Sequence, residues 1–123
     1  MNIVSDQIGS PTSANYIADA TAYCLQNLKE EQYGIYNITS SGKASWYELA
    51  TFTINQLIKN KIELKATIKN IKPIPTKDYP LPAERPKNSK LCTDKIQKTF
   101  NLDIPHWQNH VKLTLEDLYS KTK

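Results

Sequence analysis

Apolar residues recur along this chain in blocks whose spacing changes from element to element. Ile3-Val4 is a short apolar start that reads as a strand. After a polar turn, Ile17, Ala20, Thr21, Cys24 and Leu28 fall on one face of a helix predicted from about Ala14 to Leu28. Gly34-Ile35-Tyr36-Asn37-Ile38 reads as a second strand. Ser45-Trp46-Tyr47-Glu48 has the spacing of a capping box, so a helix should run from Ser45 to about Asn60. Its buried stripe would be Leu49, Ala50, Thr53, Ile54, Leu57 and Ile58. Ile71 to Pro75 reads as a strand whose prolines restrict it to an edge or an irregular path. A short helix after Thr93 should present Ile96 and Phe100. A fourth, capped by Asp103 with Pro105 in its first turn, should present Trp107, Val111, Leu115 and Leu118. The pattern predicts an α+β fold of three to four helices with a few short strands. Lys59 to Lys72 reads as a solvated helix end and turn.

Two polar loops stand out from this framework. Ser5-Asp6-Gln7-Ile8-Gly9-Ser10-Pro11-Thr12-Ser13 joins the first strand to the first helix. A Gly/Ser/Pro turn at a helix N-terminus offers backbone N–H groups and the positive dipole end to an anion. One of Ser10, Thr12 and Ser13 is expected to cap the helix instead. The second loop closes a segment in which Pro73, Pro75, Pro80, Pro82 and Pro86 stiffen the backbone. It delivers Arg85, Asn88 and Ser89, whose guanidinium, carboxamide and hydroxyl recognise anions and amides. Taken alone, that loop reads more readily as a rigid connector with solvated charges.

In chain order, Asp6-Gln7-Ile8-Gly9-Ser10-Pro11-Thr12, Gly34-Ile35-Tyr36-Asn37 and Trp46-Tyr47-Glu48-Leu49-Ala50 are followed by two further blocks. These are Tyr79 to Leu91, containing Arg85-Pro86-Lys87-Asn88-Ser89, and Leu102 to Gln108. Over essentially all 123 residues this series resembles the C-terminal part of the dTDP-4-dehydrorhamnose reductases, extended short-chain dehydrogenase/reductases. The resemblance implies a sugar-nucleotide-binding region covering residues 1–123, from an enzyme that reduces dTDP-4-dehydro-L-rhamnose to dTDP-L-rhamnose. It also implies that NAD(P)H and the catalytic Tyr-x-x-x-Lys pair belong to an N-terminal Rossmann domain lacking here, so this stretch alone should be inactive and carry no cofactor. By the same resemblance Gln7, Gly9, Pro11, Thr12, Arg85, Asn88 and Ser89 are substrate-binding residues. Arg85 and Asn88-Ser89 lie where such reductases meet the diphosphate and sugar. The expected partners are a dTDP-sugar and the Rossmann domain, whose docking surface should be apolar enough to favour self-association.

The residues agree with parts of this picture. A dinucleotide loop needs closely spaced glycines, whereas Gly9, Gly34 and Gly42 lie far apart. Tyr119 and Lys123 have the Tyr-x-x-x-Lys spacing, but at the very end of the chain, and are read as coincidence. Start of the sequence almost on a strand is expected of a truncated longer chain. No apolar run reaches membrane-spanning length and Met1 to Asp6 lacks a signal-peptide pattern, so a cytoplasmic protein is expected. Cys24 and Cys92 are then expected to be reduced. His106 and His110 would share a helix face without a third ligand, so no metal is expected.

Net charge is +4, from 16 Lys+Arg against 12 Asp+Glu, which raises the rival of a small nucleic-acid-binding module. The lysines are scattered and no nucleic-acid motif occurs, so neither nucleic acid nor membrane is expected as a partner. A second rival is a non-catalytic regulatory relative of the same superfamily. Among the aromatics, Trp107 is expected in the core and Tyr79 at a pocket rim, while Trp46 is open to either role.

Overall fold

The computed structural model describes residues 1–121. Its elements are β1 (Asn2–Val4), β2 (Ile8–Gly9), α1 (Ala14–Asn27), β3 (Ala44–Ser45), α2 (Trp46–Lys59), β4 (Lys72–Ile74), α3 (Asp94–Phe100) and α4 (Trp107–Lys121). This is the α+β arrangement of four helices and short strands that the pattern predicts. The chain forms two compact units: Met1–Gly9 with Lys43–Lys90, and Ser10–Gly42 with the segment from Leu91 onward.

In the first unit β1 runs parallel to β4, with Asn2, Ile3 and Val4 opposite Lys72, Pro73 and Ile74. Pro73 has no N–H to give, and the ladder is carried by its neighbours. Lys72 N donates to Met1 O at 2.9 Å and Ser5 N to Ile74 O at 2.9 Å. Buried Val4 and Ile71 anchor this pair, and α2 packs against both β1 and β3. The stripe Leu49, Ala50, Thr53, Ile54 and Leu57 is half-buried, but Ile58 is exposed on the last turn of α2.

The start of α2 is fixed by the capping box. Ser45 Oγ accepts from Glu48 N at 3.1 Å, and Glu48 Oε2 accepts from Ser45 N at 2.7 Å. Ser45 is also buried, so a lost bond there cannot be replaced by water. Ser45→Ala is expected to cost about 1 kcal/mol of stability, read as a lower urea midpoint at unchanged m-value. A midpoint equal to the parent's would show that β3 pairing alone sets the helix start.

The second unit is built on Ile96, Phe100 and Ile104, with Tyr16, Cys24, Leu28, Tyr36, Ile38 and Leu102 packed around them. α3 ends at Asn101 in the left-handed region (φ 49°), which asparagine tolerates better than most residues. Two expectations need correction here. Gly34 to Ile38 is not a strand among the described residues. Tyr36 and Ile38 turn into the core while Ile35 is 87% exposed. The Ile35 carbonyl accepts from Lys95 Nζ at 2.9 Å, and the same ammonium lies 4.4 Å from the Tyr36 ring centroid. α4 begins at Trp107, not in an Asp103–Pro105 turn. Ser41 N donates to Pro105 O and Trp107 N to Ser41 O, both at 3.0 Å, which holds the preceding backbone in a bridge. The first helical bond then runs from Asn109 N to His106 O at 2.9 Å. Trp107 and Leu115 are buried as expected, whereas Leu118 is exposed.

Candidate functional site

In the first unit the two polar loops are stitched together through one residue. Ile8 N donates to Lys87 O at 2.8 Å, and Ser89 N donates to Ile8 O at 2.8 Å. Ile8 also pairs with Ser45 across β2 and β3. The segments around Gln7–Gly9 and Asn88–Ser89, far apart in the chain, therefore run side by side. Gly9 permits this approach, since a Cβ there would meet Ser89 Oγ at 2.9 Å.

The side chains differ in how free they are. Ser89 Oγ donates to Ile8 O at 3.2 Å, and Asn88 Oδ1 accepts from Lys90 N at 3.0 Å. Gln7 Nε2 donates to Thr76 Oγ1 at 3.2 Å. Asp6 Oδ1 accepts from Thr76 N at 2.8 Å and from Thr76 Oγ1 at 2.6 Å. These bonds, the hydroxyl's foremost, hold the Asp6 carboxyl below the usual carboxylate range, with Lys87 adding a smaller pull. Arg85 is exposed and has no hydrogen-bond or ionic partner among the described residues. The loop thus presents an ungrouped guanidinium beside a backbone whose geometry is already fixed. Tyr79 and Trp46 are exposed on this unit as well.

Pro11 and Thr12 belong to the second unit. Thr12 Oγ1 donates to Ser10 O at 2.8 Å and accepts from Ser40 N at 2.9 Å, while Ser10 Oγ donates to Gly42 O at 2.9 Å. Of the three hydroxyls in that turn, Ser13 is the helix cap, accepting from Tyr16 N at 3.2 Å. His110 is buried against it, its Nδ1 within 3.3 Å of both Ser13 N and Ser13 Oγ. Sequence reading weighed His110 only as a metal ligand and missed its contact with Ser13, as it missed the Asp6–Thr76 lock, because the partners lie 97 and 70 residues apart with no local spacing to betray them. No group of three or more His, Cys, Asp or Glu among the described residues is placed to hold a metal.

The chain's glycines do not fit a dinucleotide. A pyrophosphate cradle needs open space over a glycine, and here each is covered by the chain's own atoms. Ser89 Oγ fills that space at Gly9, Lys95 Nζ approaches it at Gly34, and the His106 ring occupies it at Gly42. Of the Tyr119 and Lys123 pair, Lys123 lies outside the described residues.

Comparison with known proteins places the chain. The sequence model of the RmlD substrate binding domain matches residues 1–120. The dTDP-4-dehydrorhamnose reductase of Escherichia coli K12 is 37% identical over 122 residues, covering 98% of this chain and 40% of that protein. The spore coat polysaccharide biosynthesis protein SpsK of Bacillus subtilis is 31% identical over 117 residues, covering 95% of this chain and 37% of that protein. Among solved structures, the dTDP-4-dehydrorhamnose reductase of Clostridium acetobutylicum superposes with a TM-score of 0.77 at 28% identity, over 97% of this chain and 39% of that one. The Bacillus anthracis reductase, solved in complex with NADP, gives a TM-score of 0.72 at 25% identity, over 95% of this chain and 38% of that one. The chain therefore spans about two fifths of the relatives it matches, and it corresponds to their substrate-binding part.

Proposed function

We propose that this chain, which belongs to the RmlD substrate binding domain family, is the sugar-nucleotide-binding part of a dTDP-4-dehydrorhamnose reductase. The parent protein would reduce dTDP-4-dehydro-L-rhamnose to dTDP-L-rhamnose with NAD(P)H, in the cytoplasm. Among the described residues no helix is long and apolar enough to cross a membrane. The observation that carries the proposal is the pairing of Ile8 with Lys87 and Ser89, which sets the Arg85–Ser89 loop beside Gly9. Gln7, Gly9, Arg85, Asn88 and Ser89, all on the first unit, are the proposed substrate contacts. Pro11 and Thr12, on the second unit, are proposed as substrate-binding on the family resemblance alone. Arg85 would take the diphosphate through paired N–H···O bonds, which suits a fork-shaped donor with no internal partner. The bond from Gln7 Nε2 to Thr76 Oγ1 fixes the Gln7 side chain for its contact.

The chemistry of hydride transfer would belong to the remaining three fifths of such a protein. The second unit carries an apolar groove of about 440 Å³, lined by Ala20, Cys24, Leu25, Leu28, Tyr36 and Phe100. The exposed Ile35 and Tyr33 continue the apolar surface of this unit. We assign this face to the cofactor-binding part of the longer protein, since an exposed apolar groove calls for a covering partner and the relatives extend well beyond this chain. Self-association through the same face is the expected behaviour of the isolated chain.

The test is a pair of NMR titrations on the labelled chain. With dTDP-L-rhamnose, the amides of Gly9 and of residues 87–90 should shift; with NADPH they should not. The chain alone should oxidise no NADPH in the presence of dTDP-4-dehydrorhamnose, because nicotinamide and keto carbon are not held together. Shifts with NADPH alone, or measurable turnover, would overturn the assignment.

A further inference from the structure

His110 lies on α4 but its ring is engaged with the start of α1. It is 3% exposed, and its ring meets Tyr16 edge-on, with centroids 4.7 Å apart and planes at 74°. Ser13 N–H points at Nδ1 from 3.3 Å, so Nδ1 is an acceptor and carries no proton. Nε2 is then the protonated nitrogen, and it donates to Pro105 O at 3.2 Å. The imidazole is held neutral in one tautomer, between the cap of α1 and the turn before α4. Ser13 Oγ accepts from Tyr16 N–H and also lies 3.3 Å from Nδ1, to which its own O–H can donate while the ring is neutral.

We propose that His110 is an acid-operated latch: its protonation removes the acceptor for Ser13 N–H and releases the Ser10–Ser13 turn together with the first turn of α1. An imidazolium in this position confronts one donor with another, and Ser13 N–H is left without its acceptor. Ser13 Oγ, 3.3 Å from Nδ1, is the acceptor to which the imidazolium N–H can turn, but this does nothing for Ser13 N–H, which still loses its partner. From α1 the titratable neighbour is Tyr16, a phenol that burial pushes upward, with Cys24 and Asp103 adding to the shift. From the turn before α4 the Pro105 carbonyl meets the ring, while His106, just ahead of the helix, is exposed. On α4 itself, Asp117 is taken by Asn15 Nδ2 at 2.9 Å. Among the described residues no carboxylate bonds to the ring.

The direction of the pH dependence follows. Burial lowers the His110 pKa from its ordinary 6.5, and the Pro105 bond only partly opposes this. Between 6.5 and the lowered value, the unfolded or released form binds more protons than the latched one. The latch is therefore fully closed above that window and weakens as pH falls through it, by about tenfold in its equilibrium per pH unit. This inference concerns the fold and stands independently of the sugar-nucleotide assignment. It does place Thr12 and Pro11 on the segment that loosens.

The test is an NMR titration of the full chain from about pH 8 to about pH 5, a range in which histidine is the side chain that ordinarily titrates. At the upper end the His110 ring should show the Nε2–H tautomer. Ser13 and Tyr16 amides should then move with the His110 midpoint, below 6.5. Amide exchange in the first turn of α1 should quicken relative to α2 over the same range. His110→Gln should abolish this coupled transition, and His106→Gln should leave it intact. A His110 midpoint at or above 6.5, still Ser13 and Tyr16 amides, persistence in His110→Gln, or simultaneous loss of all amides would each overturn the latch.

Discussion

Gly42→Ala is expected to destabilise the second unit by roughly 2–4 kcal/mol, combining left-handed strain with overpacking. Gly42 has φ +79°, a region that a Cβ makes costly. The new methyl would also collide with the His106 ring and reach within 3.1 Å of Trp107 Cδ1. Trp107 is buried, so it cannot yield cheaply. His106 is exposed and can. That difference separates the two costs in a double-mutant cycle: His106→Ala alone should matter little, and adding it to Gly42→Ala should recover the steric part. About 1–2 kcal/mol of backbone strain should remain in the double variant. Chemical denaturation of the four proteins supplies the numbers, and a double variant no more stable than Gly42→Ala would place the whole cost in the backbone. The Gly42 carbonyl also accepts from Ser10 Oγ, so the damage should extend to the turn carrying Pro11 and Thr12.

This glycine shows where sequence reading runs out. The capping box at Ser45 was legible because both of its bonds span three residues. The first helix was legible from its period, but of its expected apolar face Ala20 is buried, Cys24 and Leu28 are half-buried, and Ile17 and Thr21 are exposed. Trp107 and Leu115 could be placed in a core from their shared helical face. What could not be read is whatever depends on contacts distant in the chain. Pro105 seemed a helix-starting residue, but its carbonyl is committed to Ser41 and to His110, so α4 starts two residues later. Gly34 to Ile38 has strand composition, yet a strand is defined by its partner, and among the described residues none pairs with it. In the site, residue types announced the Arg85–Ser89 loop, but only the Ile8 pairing shows that it runs alongside Gly9. Gln7 was legible as polar and not as a side chain turned toward Thr76.

Arg85 is where the proposed function meets its most exacting test, in the intact protein that carries both parts. Arg85→Ala is expected to weaken sugar-nucleotide binding by about 2–5 kcal/mol if the guanidinium pairs with the diphosphate away from water. That corresponds to a rise in Kd of roughly 30-fold to several thousand-fold. Arg85→Lys keeps the charge and loses the fork, so it should fall between the parent and the alanine variant. Pro82 and Pro86 flank the residue and limit the loop's freedom before binding, so little affinity is lost to ordering it. In this structure Arg85 is exposed and has no partner among the described residues. Its removal should therefore change stability by no more than about 0.5 kcal/mol. NAD(P)H affinity should also hold, because the glycines of this chain offer no cradle for a dinucleotide. Calorimetric titration of both ligands into the three proteins, with a denaturation curve for each, distinguishes the outcomes. Equal weakening of both ligands, or unfolding without a binding effect, would make Arg85 a structural residue. A selective loss of the sugar nucleotide, graded from arginine through lysine to alanine, is what a phosphate-reading fork requires.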